Sequence, residues 1–200
     1  MTNIDTATDY VVADETTSMI ADVVADTGNA RTVVLVVPQG ETVPLVAQLP
    51  SVRSLHGPFS WEVFAARGLP RDAWSSLDRD EHIIELGGRE RFVGRLAVER
   101  IAAASSGRGS DDRYFDGTTL DFILVGIAAA VPKTVTRISA RLTTMVPIAL
   151  AHHAPRVAEA LRGKYELRYN GRALVIIIAA VTVRQEGEAA FAALGGDTSL

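Results

Sequence analysis

The chain has 200 residues, 48% of them apolar, and a formal charge of −4; it is long enough to bury a substantial core and carries no broad basic footprint for nucleic acid. It has no cysteine, which excludes disulfides, thiolate zinc sites and cysteine nucleophiles and makes the reducing cytoplasm the expected location. Asp5, Asp9 and Asp14 stand where a leader would be basic and then apolar, and the longest apolar runs, Phe122–Val131 and Ala173–Val181, fall short of a span of ~20 residues, so neither secretion nor membrane insertion is expected.

In chain order, Tyr10–Ala13, Ile20–Ala25 and Thr32–Val37 are runs of strand formers. The segments between them, Asp14–Met19 and the turn cluster Asp26-Thr27-Gly28-Asn29, predict a three-stranded meander. Val33 to Val37 is apolar at every position, so this strand is expected to be covered on both faces. From Pro38 to Asp80, prolines and glycines cut the pattern into short pieces, one of them a helix over Trp61–Arg67. Gly87-Gly88 then predicts a hairpin between His82–Leu86 and Arg91–Val93, followed by a helix over Leu96–Ala104 and a polar loop from Gly107 to Gly117. Together these read as a loop-rich lobe, at about 38–117, inserted in a single domain spanning 1–200.

Thr118 opens a helix that is apolar almost all round to Val131, with Thr118 as the N-cap and Asp121 three residues on as in a capping box. Gly126 within it costs about 1 kcal/mol relative to alanine, which marks a close approach to the sheet. Ile138, Ala140 and Leu142 alternate with polar residues before Pro147, as in a strand with unequal faces. Pro155, Val157, Leu161 and Gly163 outline two turns of helix. Asn170-Gly171 then predicts a type I′ hairpin, in which Tyr169 pairs with Arg172, Leu167 with Leu174 and Tyr165 with Ile176. A meander, a buried helix and a strand–helix–strand continuation make an α/β domain.

Several segments, in order, resemble the N-terminal domain of bacterial and archaeal actin-like proteins, the group that includes plasmid-segregation actins. They are Pro50-Ser51-Val52, Phe92-Val93-Gly94-Arg95-Leu96-Ala97, Thr144-Met145-Val146-Pro147, Leu161-x-Gly163-x-Tyr165, Asn170-Gly171 and the closing Val181 to Phe191 with its Gln185-Glu186-Gly187. The resemblance covers Tyr10 to Leu194 and implies a ribonuclease H-like subdomain with a mixed sheet, helices on its faces and a small inserted lobe. It also implies ATP held between two such halves.

The family's first phosphate loop is a hairpin of the pattern Asp-x-Gly-x-Gly-x-x-Lys, in which glycines let backbone N–H groups approach phosphates. On Asp14 to Ala21 the resemblance leaves Asp14 as the Mg²⁺ residue, with Thr16, Thr17 and Ser18 beside phosphate and Ala21 in place of the lysine. The second loop falls on Leu194 to Ser199, with Ala193 at its aspartate position, and the chain stops at Leu200. Two readings follow. In the first, the protein is a degenerate structural or interaction module without ATPase activity or cofactor, which self-associates or binds a partner over the face of the absent half. In the second, it is an Mg-ATP-dependent actin-like ATPase completed by another chain.

Other chemistry is weaker. His152 and His153 are expected to point apart, and neither His56 nor His82 has a metal-ligand spacing. Asp72, Asp78, Asp80 and Glu81 alternate with arginines as in a solvated face, and Arg89, Arg91 and Arg95 suit either a contact patch or a charged edge. Trp61, Phe64 and Trp74 suit the small core of the lobe.

Overall fold

The computed structural model describes residues 17–54, 60–100, 104–106 and 111–187. The strands are β1 (Thr17–Thr27), β2 (Arg31–Pro38), β3 (Leu45–Pro50), β4 (Val52–Ser54), β5 (Glu81–Leu86), β6 (Arg89–Gly94), β7 (Ala104–Ser106), β8 (Val135–Val146), β9 (Gly163–Tyr169) and β10 (Arg172–Gln185). The helices are α1 (Ser60–Ala66), α2 (Arg95–Arg100), α3 (Thr118–Ala130) and α4 (Ala154–Leu161). All ten strands form one mixed sheet in the order β3-β2-β1-β8-β10-β9-β5-β6-β4-β7.

The body of this sheet is an antiparallel meander, β1-β2-β3, continued by β8 and β10, both parallel to β1. Two crossovers in the same direction place α3 and α4 over the same face, because such connections are right-handed. One core results: Ala21, Val23, Ala25, Val34, Val36, Ile138, Ala140, Leu142, Ile176 and Ile178 lie beneath Phe122, Ile123, Ile127, Val157 and Leu161. Gly126 makes the close approach that its cost implies, since a Cβ there would stand 2.3 Å from Val34 Cγ2. The Asn170-Gly171 hairpin has the expected register, and both residues take positive φ, 45° and 80°.

The opposite face of the body carries no helix among the described residues. Val24, Leu35 and Val46 run across it in register, with Ile20 nearby, and Ile20, Val24 and Val46 are 58%, 37% and 47% exposed. Val33, Leu35 and Val37 are therefore only half-buried, where their unbroken apolar run predicted cover on both sides.

Beyond β10 and β9 the sheet runs into the lobe through Ile84, Glu85 and Leu86 of β5, opposite Tyr169, Arg168 and Leu167. A separate small core of Val63, Phe64, Ile83, Phe92, Leu96 and Ala97 holds the lobe together, with Trp74 edge-on to Phe64 at 5.1 Å and Trp61 left 41% exposed. β3, which falls within the expected 38–117 insertion, belongs to the body sheet instead.

Four local expectations are corrected. Thr17, Ser18 and Met19 belong to β1 and not to a turn, because the strand-forming alternation extends back through them; Tyr10–Ala13 lies outside the described residues. Leu96–Ala104 is not one helix: α2 ends at Arg100 and Ala104 opens β7. The start of α3 is held by Asp116, whose Oδ1 accepts the Thr118 N–H at 2.7 Å, while Thr118 gives no side-chain cap. Asp121 is instead buried and bridges Arg53 at 2.6 Å and Arg91 at 3.1 Å, which ties the lobe to α3. Finally, Glu81 is no solvated acid: it is 2% exposed and takes two hydrogen bonds from Arg67, at 2.5 and 3.0 Å.

Candidate functional site

Because β1, β8 and β10 are parallel, their carboxyl ends meet at one end of the sheet, the place where α/β sheets hold ligands. A cavity of about 380 Å³ opens there, lined by Asp26, Gly28 and Asn29 of the β1–β2 turn, Met145 and Pro147 after β8, Glu186 and Gly187 after β10, and Arg113.

Its walls are fixed by hydrogen bonds. Thr144 Oγ1 donates to the Ala25 carbonyl at 3.0 Å, and the Glu186 N–H donates to the Val146 carbonyl at 2.9 Å. Arg113 reaches Asn29 Oδ1 with Nη1 at 3.0 Å and the Tyr114 hydroxyl with Nη2 at 2.8 Å. Tyr114 is buried, and burial pushes its phenol up; Arg113 opposes this, while the Glu186 and Asp26 carboxylates push it further in the same direction. Two carboxylates and one guanidinium thus act on the same small volume. Carboxylate oxygens of this kind suit a hydrated divalent cation, and the turn's backbone N–H groups suit an anion beside it.

Sequence reasoning placed the first phosphate loop earlier. Asp14 and Thr16 lie outside the described residues, as does the second loop at Leu194 to Ser199. Thr17 and Ser18 open β1 opposite Val135 and Arg137, and roughly 26 Å of extended strand separates Ser18 from Asp26. The structure does not bring them to the cavity. The hairpin that follows an aspartate at a strand's end is the β1–β2 turn, and Asp26-Thr27-Gly28 fits the first three positions of the loop pattern. Ala30 then stands for its second glycine and Val33, directly opposite Asp26, for its lysine. Asp26, Arg113 and Glu186 were missed as a group, although Asp-x-Gly directly after the strand formers Ile20–Ala25 was a usable signal.

The remaining candidates resolve otherwise. His152 and His153 do not point apart, since their ring centroids are 3.9 Å apart. His82 is buried, bonded through Nδ1 to the Tyr169 hydroxyl at 2.9 Å, and burial lowers its pKa to about 4. Arg91 and Arg95 are engaged by Asp121, Asp78 and Glu81, and Arg89 is exposed at the start of β6. No group of three or more metal-ligating side chains occurs among the described residues.

Among solved structures, the chain is similar to ParM from Bacillus thuringiensis in its apo form, with a TM-score of 0.66 and 16% identity over 84% of this chain and 46% of that one. It is likewise similar to apo pSK41 ParM, with a TM-score of 0.62 and 12% identity over 90% and 53%. The filament structure of AlfA from the B. subtilis plasmid pLS32 gives 0.58 and 14% identity over 86% and 58%. The chain has an actin-like fold. It spans about half the length of these plasmid-segregation actin-like neighbours, as a single half of their architecture would. No family model matches the chain, and no curated protein matches it by sequence. The resemblance segments at Thr144 to Pro147 and Gln185 to Gly187 both end at the strand-end cavity, so the actin-like frame and the cavity coincide. No helix among the described residues is long and apolar enough to cross a membrane.

Proposed function

We propose that this chain is an actin-like assembly module that works by association, through copies of itself or a protein partner, and without ATPase activity of its own. The observation that carries the reading is the face of the body sheet that no described helix covers, where Ile20, Val24, Leu35 and Val46 stand together, half-buried or exposed. Contiguous apolar surface of this kind marks an interaction site on a soluble protein. An actin-like neighbour in a filament, AlfA, supports the same direction. The strand-end cavity fits only half of a nucleotide site: Asp26 and Glu186 suit a cation, but Val33 stands at the lysine position and Arg113 is engaged by Asn29 and Tyr114.

Sedimentation velocity across a concentration series, with and without Mg-ATP, tests this. Species that grow with concentration, do not respond to nucleotide and are abolished by Ile20→Glu with Val24→Glu are expected. A monomer at all concentrations that also captures no partner would sink the reading.

A second reading is favoured by Asp26-x-Gly28 and Glu186: Mg-ATP binding completed by another chain. ParM from B. thuringiensis has been solved with ATP and with ADP. In this reading Asp26 and Glu186 hold the hydrated Mg²⁺, and the backbone of Gly28 and Asn29 faces phosphate. Mg²⁺-dependent ATP binding by the associated form, lost in Asp26→Ala and kept in Asp14→Ala, is its expected signature. No binding in any form ends it.

A further inference from the structure

The sheet does not close on itself. β3 is its first strand and pairs with β2 alone among the described residues. The sheet curls about α3 until Pro50, at the end of β3, comes beside Gly94 of β6. Along the rest of β3 the two sides stay apart and leave a groove of about 1000 Å³. Val46 to Pro50 form one wall without a break, Ala128 and Ala129 of α3 lie on its floor, and Trp74 and Tyr169 stand on the other side.

Two features say what would fill it. Edge strands are ordinarily protected by charge, bulges or proline, because their outward N–H and C=O groups pair with any strand that arrives. Leu45-Val46-Ala47-Gln48-Leu49-Pro50 has no charged residue and only a terminal proline. Around the groove, moreover, Arg31, Arg79, Lys133 and Arg172 face only Asp78 and Asp80. Arg172 donates to the Ala128 and Pro132 carbonyls, Arg31 donates to Gln48 Oε1 and Asp78 pairs with Arg95, which leaves two exposed cations on the rim, Arg79 and Lys133, against one exposed anion, Asp80.

We propose that this groove receives an extended peptide segment that adds a strand to β3, with apolar side chains toward α3 and acidic side chains toward Arg79 and Lys133. Main-chain hydrogen bonds along a six-residue edge supply the affinity, and alternate side chains supply the selectivity. The surface is separate from the sheet face that no described helix covers.

The test is fluorescence anisotropy of the full chain with a labelled hexapeptide of alternating valine and glutamate, against its valine–lysine counterpart and a glutamate peptide N-methylated at alternate residues. The glutamate peptide should bind at least about tenfold tighter than the other two, since charge complementarity selects partners and methylation removes the ladder. Arg79→Glu with Lys133→Glu, at two exposed positions, should reverse the preference between glutamate and lysine. Hydrogen exchange should show β3 amides newly protected by the glutamate peptide. Equal binding of all peptides, no binding, or binding without protection of β3 would each overturn the proposal. So would β3 amides that become protected with rising concentration of the chain in the absence of peptide, since a second copy would then occupy the edge already.

Discussion

The body and the lobe of this molecule are held by different physics. Beneath α3 and α4 the body buries one continuous aliphatic core with few polar groups. The lobe buries a core of six described residues beside Glu81 under Arg67 and neutral His82 against Tyr169, and at its seam with the body Asp121 of α3 lies between Arg53 and Arg91. A large apolar core resists acid and yields to denaturant, whereas a small core seated among buried ion pairs responds to both. One chain therefore carries two kinds of stability. Both tryptophans, Trp61 and Trp74, lie in the lobe, so their emission reports on it while far-UV circular dichroism is dominated by the body and the long strands.

The sharpest break in this comparison is Asp121→Ala. It leaves Arg53, itself buried, with only the longer and more exposed Asp116 contacts at 3.3 and 3.6 Å, and breaking one half of a buried pair typically costs about 3–5 kcal/mol. Urea titration should then show the tryptophan transition at lower denaturant than the circular dichroism transition; coincident transitions would show that the seam does not couple the two regions.

A smaller effect tests the body alone. In Gly126→Ala, overpacking against Val34 should cost about 1–3 kcal/mol and outweigh the helix propensity gained. Adding Val34→Ala should recover part of the loss. A more stable single variant would contradict the close approach.

The gentlest probe is pH. His82 is held neutral, its pKa lowered from 6.5 to about 4 by burial, so the unfolded chain takes up this proton first. Its contribution is full above about pH 6.5 and is lost as the pH falls toward about 4. Glu81, with its pKa lowered from 4.5 to about 2 chiefly by the Arg67 hydrogen bond, loses its contribution below that, between about 4.5 and 2. Tryptophan emission should therefore shift at a higher pH than the circular dichroism signal, and His82→Gln should flatten the upper limb. A limb unchanged in that variant would assign it to another group.

Much of the body was legible in the sequence because local chemistry and global fold agree there. Asn170-Gly171 admits one hairpin register, Ile138-x-Ala140-x-Leu142 has one buried face, and Gly126 makes sense only where helix meets strand. In the lobe the Gly87-Gly88 hairpin between β5 and β6 was legible, but the buried charges were not. An alternation such as Asp78 to Glu81 looks the same whether the acid faces water or an arginine brought from fourteen residues away. The phosphate loop expected at Asp14 to Ala21 and the strand-end cavity do not coincide. Two strand-former runs flank Asp14–Met19 as they flank Asp26–Asn29, and only the pairing of β1 with both β2 and β8 shows which turn stands at the carboxyl ends of the parallel strands. Arg113 and Glu186 reach that end from distant segments and carry no local signature.

The pairing of β5 with β9 has a mechanical consequence. Three registered pairs, at Ile84, Glu85 and Leu86, join lobe to body as one ribbon, and Asn170 bolts it from the end by accepting the Ile83 N–H at 2.8 Å and donating to the Glu81 carbonyl at 3.0 Å. A load directed along these strands is shared by all of those bonds at once, while a load across them opens the bonds in turn. The joint is therefore stiff to sliding and compliant to peeling, and any force that an assembly puts on the lobe meets a preferred direction of yield.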